Sequence, residues 1–288
     1  MSNPTERSNG YSEQNPLNPE RNISMKNEIK LLLGIAVPTS AVQLLIYFLF
    51  TQAASSVGRQ LGTLALASFS LASLTGNLLC LSTIIGSLSA SDTLMPRAFG
   101  LKQYEEVGRL AIRGYLACSM VLIPVSIPLI FFMEPLYIIL GIDPEVANLA
   151  SQWIRIYLVG IPFVLLYRNV QRFMAAQNLV EPLVVGAFVG TCIVASYAIR
   201  IGVKNYGFVG SAYAIVITQI ITIATTLWWM QLRPRHNPRT WPSLSSLWKD
   251  SVHIDDMKDY LHLSTGGVYS FTVCTSKHVF ILISVYRF

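Results

Sequence analysis

From residue 29 onward, apolar runs of similar length alternate with short polar connections. Six runs, 29–54, 64–89, 110–132, 149–167, 183–203 and 208–232, approach or exceed the roughly 20 residues that a helix needs to cross a hydrocarbon core at about 1.5 Å per residue. A seventh, 260–286, is interrupted by His262, Gly266 and Gly267. Lys277 and His278 also fall near its middle, where a charge costs about 2.5–3.5 kcal/mol on insertion scales. The pattern predicts an all-α polytopic membrane protein: a six-helix bundle over 29–232, a linker over 233–259 and a partial or aberrant seventh segment over 260–288. Residues 1–28, rich at their start in Asn, Ser, Pro and Glu, are too polar to bury the surface that would repay ordering and read as a disordered tail.

Polar side chains inside the runs are not scattered. Thr39, Gln43, Tyr47 and Thr51 recur every fourth residue in the first run; Ser211, Thr218, Thr222 and Thr225 share a face of the sixth, with Gln219 alongside; the second offers Ser70, Ser73 and Asn77. An unpaired polar group is costly in hydrocarbon, so these stripes are expected to face the bundle interior. Two uses fit them there: hydrogen-bonded glue between helices or the lining of a wet cavity. Gln43, Tyr47, Asn77 and Gln219 are the candidates for a cavity, because their longer polar ends can reach a guest. Pro38, Pro124, Pro128 and Pro162 lie inside runs, and each removes a ladder hydrogen bond and bends its helix. Gly186 and Gly190 have the small-xxx-small spacing that lets another helix approach closely.

Composition agrees with the pattern. Only 12% of the 288 residues are charged and 52% are hydrophobic, about half the charged share of a soluble domain. Between 29 and 232 lie 7 of the 15 acids, none inside an apolar run. The net charge of +6 would suit nucleic acid if it formed a surface patch, but the basic residues fall in connections, so no nucleic-acid partner is expected and the lipid bilayer is. Of the Lys and Arg residues flanking the six runs, 15 fall on the side of the amino terminus and 4 on the other, namely Arg59, Arg155, Arg200 and Lys204. The positive-inside rule makes the first side cytoplasmic. That orientation opposes a seven-span receptor with its amino terminus outside.

No chemistry of catalysis emerges. There is no Gly-rich phosphate loop, the four histidines (His236, His253, His262 and His278) share no metal-ligand spacing, and Cys80, Cys118, Cys192 and Cys274 stand singly. Asp255, Asp256 and Asp259 fit a solvated amphipathic stretch. Neither enzyme activity, cofactor nor metal is expected.

The first acid after Glu28 is Asp92, within Ser89-Ala90-Ser91-Asp92-Thr93-Leu94-Met95-Pro96-Arg97-Ala98-Phe99-Gly100. This stretch resembles the end of the second helix in eukaryotic members of the multidrug and toxic compound extrusion (MATE) family, with Ser91 and Arg97 where a leucine and a glutamine are usual. Further matches follow in order: Leu61-Gly62 with Ser70-Leu71-Ala72, Gly141 with Pro144 and Ala147, Arg172 to Asn178 with Pro182, and Gly207 with Gly210-Ser211-Ala212. The resemblance implies the amino-terminal half of a twelve-helix antiporter that expels organic cations, drugs and other xenobiotics in exchange for protons or sodium. Asp92, Thr93 and Arg97 are then expected to anchor the connection after the second helix, with Arg97 and Lys102 as partners for the carboxylate.

Proton coupling needs a buried group that titrates near ambient pH, and the six runs hold no carboxylate. Thr51-Gln52-Ala53 occupies the place where bacterial relatives often have an aspartate; Thr275-Ser276-Lys277-His278 follows Cys274 where eukaryotic relatives have a glutamate. The resemblance ends near Phe271. The reading expects a truncated chain that is inactive alone, with a non-transporting membrane partner as the alternative.

Overall fold

The computed structural model describes residues 25–234, 240, 257–269 and 273, all helical apart from short connections. The expected tail before residue 25, most of the linker, and Cys274, Lys277 and His278 lie outside the described residues. The helices are α1 (Met25–Leu61), α2 (Thr63–Gly100), α3 (Tyr104–Phe131), the short α4 (Met133–Ile139), α5 (Pro144–Ala176), α6 (Glu181–Leu232) and α7 (257–269).

Five of these helices are long and apolar enough to cross a membrane. The fifth of them, α6, has 52 residues, about 78 Å if straight, and is folded back on itself at Gly207, where φ is 62° and ψ is −141°. Its two arms supply the fifth and sixth predicted spans. They lie antiparallel, since Gly202 meets Gly210 near the fold while Gly190 meets Thr222 and Gly186 meets Thr226 further along. At Gly202 and Gly210 backbone touches backbone, a spacing that no side chain would permit.

The same turn chemistry recurs between every pair of arms. Gly62, Lys102, Gly141, Asn178 and Gly207 are the described residues with positive φ, one in each of the five connections. A left-handed residue ends a helix by letting its last carbonyls find partners and redirects the chain at once. Four of the five are Gly or Asn, the types that tolerate this conformation; Lys102 is the exception.

In the centre stands α5, with 56% of its apolar window buried against 22% for α1. Trp153 anchors it, fully buried, edge-on to Phe69 of α2 at 5.4 Å and stacked on Tyr157 at 5.0 Å. Its indole N–H donates to Ser211 Oγ of α6 at 3.1 Å. Three helices are thereby tied at one level, and the indole's polar end has the partner that burial demands.

Two helices carry π turns, at Asn77–Leu81 in α2 and Val189–Val194 in α6. Pro38, Pro124, Pro128 and Pro162 all lie inside helices, as expected. The helical register of α2 extends through Gly100, beyond the apolar run that ends at residue 89, so the stretch from Ser89 is the end of this helix. The Asp92 carboxylate stands in the first turn of its last segment.

Candidate functional site

Ordered from the end that carries the amino terminus, the polar side chains form two groups. The first is an ion pair between Asp92 Oδ1 and Arg172 Nε at 2.9 Å, joining α2 to α5. The expected partners Arg97 and Lys102 do not fill this role. Arg97 lies five residues on, and a helical separation of five turns a side chain well away from its starting face. Thr93 Oγ donates to the Ala90 carbonyl at 3.0 Å, within its own helix. Next to Asp92, buried Ser91 exchanges a hydrogen bond of 2.5 Å with the Tyr260 hydroxyl of α7. Gly114 of α3 makes room for both, so α7 seats itself between α2 and α3.

One turn deeper lies Arg168, 7% exposed. Sequence reading assigns it to a connection, as one of the orienting charges. The structure places it inside α5 and within the bundle. Its Nη1 donates to Gln43 Oε1 of α1 at 3.1 Å and to Gln171 Oε1 at 3.2 Å. Both acceptors are neutral. Beside it is a small, partly open cavity of about 30 Å³, whose polar lining is Tyr157, Tyr167, Arg168, Thr191, Gln219 and Thr222. Leu81 and Thr191, one from each π turn, meet there, in keeping with the frequent occurrence of π turns at functional sites.

Of the four cavity candidates, Gln219 alone lines this space. Gln43 is spent on Arg168. Asn77 is half-buried and opens the π turn, its carbonyl accepting from Ser82 Oγ at 3.2 Å. Tyr47 is 66% exposed on the outside of the bundle, and Thr51, also exposed, bonds back to the Tyr47 carbonyl at 3.2 Å. The expectation of a wholly interior stripe therefore fails for its second half. The reason is helical geometry: four residues turn about 400°, so each step drifts about 40° around the axis. Gln52, by contrast, turns inward and bridges to α6, donating to the Thr191 carbonyl and accepting from Ser196, both at 3.4 Å.

On the sixth span the buried stripe is Thr218, Thr222 and Thr226, each donating to the carbonyl four residues back at 2.8 Å. Thr225, predicted for this face, is half-buried beside it. Ser70 and Ser73 likewise bond to carbonyls of their own helix. Sequence reasoning missed Arg168, Tyr167 and Thr226. A signal existed for Arg168, whose spacing of four from Arg172 puts both cations on one face of a helix that the chain otherwise buries.

At the opposite end, Thr51, Gln52, Ser55, Arg59, Arg200 and Lys204 line part of an open groove of about 710 Å³ between α1 and α6. Glu134 of α4 and Arg155 of α5 pair at 3.5 Å.

An all-helical polytopic membrane protein, five arms packed around a sixth, central helix with a polar interior at one end, is the class that this arrangement defines. The MatE family profile matches residues 38–199, more than half of the chain, and the chain belongs to that family. Multidrug and toxin extrusion protein 2 of Pongo abelii is 31% identical over 221 residues, which is 76% of this chain and 37% of that protein. Protein DETOXIFICATION 12 of Arabidopsis thaliana is 34% identical over 173 residues, 60% of this chain and 36% of that one. The matched stretch thus spans well under half the length of these relatives. The crystal structure of the eukaryotic MATE transporter AtDTX14 superposes with a TM-score of 0.76 at 24% identity, covering 89% of this chain and 56% of that one, and shows the fold.

Proposed function

We propose that this chain forms the amino-terminal lobe of a secondary antiporter that exports organic cations, drugs or other xenobiotics in exchange for protons or sodium. The observation that carries the reading is the six-arm lobe itself, superposable on just over half of a eukaryotic MATE transporter. Lobe-against-lobe rocking requires a rigid half-unit, and the buried Trp153 cluster and the glycine contacts of α6 supply that rigidity. Tyr47 is exposed on α1, and its ring can attract an organic cation through its π face. The Asp92–Arg172 pair anchors the end of α2 against α5 on the cytoplasmic side. That orientation follows from the 15 to 4 distribution of Lys and Arg, and glycan on the Asn22 sequon would reverse it.

Coupling is assigned outside this lobe. Among the described residues no carboxylate lines the inner cavity, whose charged side chain is an arginine, which does not give up its proton in proteins. Vesicles holding this polypeptide alone should therefore show no pH-driven uptake of a fluorescent organic cation. Vesicles holding it together with the carboxy-terminal lobe of a family relative should show it. Uptake by the lone chain would overturn the assignment of coupling; failure of both preparations, with folded protein in each, would favour the non-transporting partner.

A further inference from the structure

A cavity inside a membrane lobe is read by the charge that lines it. Here that charge is a guanidinium, and the six polar residues around the space include no carboxylate. Both hydrogen bonds of Arg168 leave from Nη1, so the N–H groups on Nη2 and Nε are not spent on Gln43 or Gln171. Tyr167 lines the same cavity; it is 2% exposed and its hydroxyl is buried with no hydrogen-bond partner among the described residues. Such a group carries a desolvation cost that structures rarely leave uncompensated. The neighbouring Thr191 and Thr222 hydroxyls donate to helix carbonyls, at 2.7 and 2.8 Å, and neither accepts from the phenol.

What remains is the Arg168 charge with the unanswered Tyr167 phenol, among neutral polar groups and no carboxylate. A metal cation would meet repulsion there and would find no anionic oxygen to hold it. A single water fits the volume of about 30 Å³ but leaves the charge uncompensated. An anion of similar size accepts from the guanidinium and the phenol together and neutralises the buried charge, which is the condition under which a buried cation is tolerated.

We propose that the cavity beside Arg168 binds one small monovalent anion of halide size, held by the Arg168 guanidinium and the Tyr167 hydroxyl. The site ties α5 to the wall formed by α1 and α6, so occupancy stiffens the lobe whether or not the chain transports anything.

The test is an equilibrium one on the purified full chain in detergent, independent of transport. Thermal unfolding is followed while sodium gluconate is exchanged for sodium chloride or bromide at constant ionic strength, and ³⁵Cl NMR line broadening reports the site directly. Binding of N but not U stabilises by mass action, so a saturable rise in Tm of about 2–4 °C is expected at millimolar halide, together with ³⁵Cl broadening. Tyr167→Phe should weaken the halide dependence several-fold and Arg168→Gln should abolish it. Arg200→Gln, in the basic groove at the far end, should leave it intact. Equal Tm in gluconate and halide for the native chain overturns the proposal, as does a halide effect unchanged in Tyr167→Phe or lost in Arg200→Gln. Should Arg168→Gln fail to fold, Tyr167→Phe decides alone, since it removes one oxygen and keeps the ring.

Discussion

Thr39, Gln43, Tyr47 and Thr51 recur every fourth residue along α1, as Thr218, Thr222 and Thr226 do along the second arm of α6, yet the two stripes meet different neighbours. On α6 every member is buried; on α1 the stripe begins half-buried and ends in the open at Tyr47 and Thr51. Each drifts around its axis by about 40° per step. The α6 stripe stays covered because Gly186 and Gly190, themselves four apart, drift with it on the facing arm, as rows of side chains do when both helices pack through their fourth-residue ridges. No such row follows α1. A polar stripe thus names a face, and only the matching row on a partner decides whether that face is inside.

The sharpest way to break the comparison is to fill the α6 seam. Gly190→Leu puts side-chain carbon where Thr222 already stands, and overpacking of a seam costs about 1–3 kcal/mol or more; the expected outcome is a large fall in Tm or loss of folded protein, read by thermal unfolding in detergent. Gln43→Leu comes next, because it strips Arg168 of its α1 acceptor. Leaving a buried charged donor short should cost about 1–3 kcal/mol, measurable as a shifted unfolding midpoint, with partial rescue in Gln43→Asn not expected because the shorter amide falls short of Nη1. Thr222→Val keeps the shape of the seam and removes a bond within its own helix. Its cost should stay near 0.6 kcal/mol, roughly the mean for polar contacts in membrane helices. Smallest of all, Thr51→Val and Tyr47→Leu touch the open half of the α1 stripe and should change stability by about 0.5 kcal/mol or less. If either destabilised the lobe as much as Gly190→Leu, the two stripes would not differ in the way described.

Much of the fold was legible before any coordinates. Backbone groups in lipid must be satisfied within the helix, so long apolar runs could be little else, and Gly62, Gly141, Asn178 and Gly207 all fall between those runs. The candidate site was less legible. Gln219 lines the cavity and Tyr47 does not, while Arg168, whose place in the chain suggests an orienting charge in a connection, is 7% exposed. A charge near a span's end looks the same in sequence whether it snorkels to water or turns inward.

What the sequence by itself determined is the number and order of the arms, because hydrocarbon thickness and backbone satisfaction are local demands that each run meets alone. What only the tertiary structure decided is which polar groups meet: Asp92 with Arg172 across 80 positions, Ser91 with Tyr260, Arg168 with Gln43. Those pairings depend on the azimuth and depth of separate helices, where a shift of one residue turns a side chain by about 100°, and no single run contains that information.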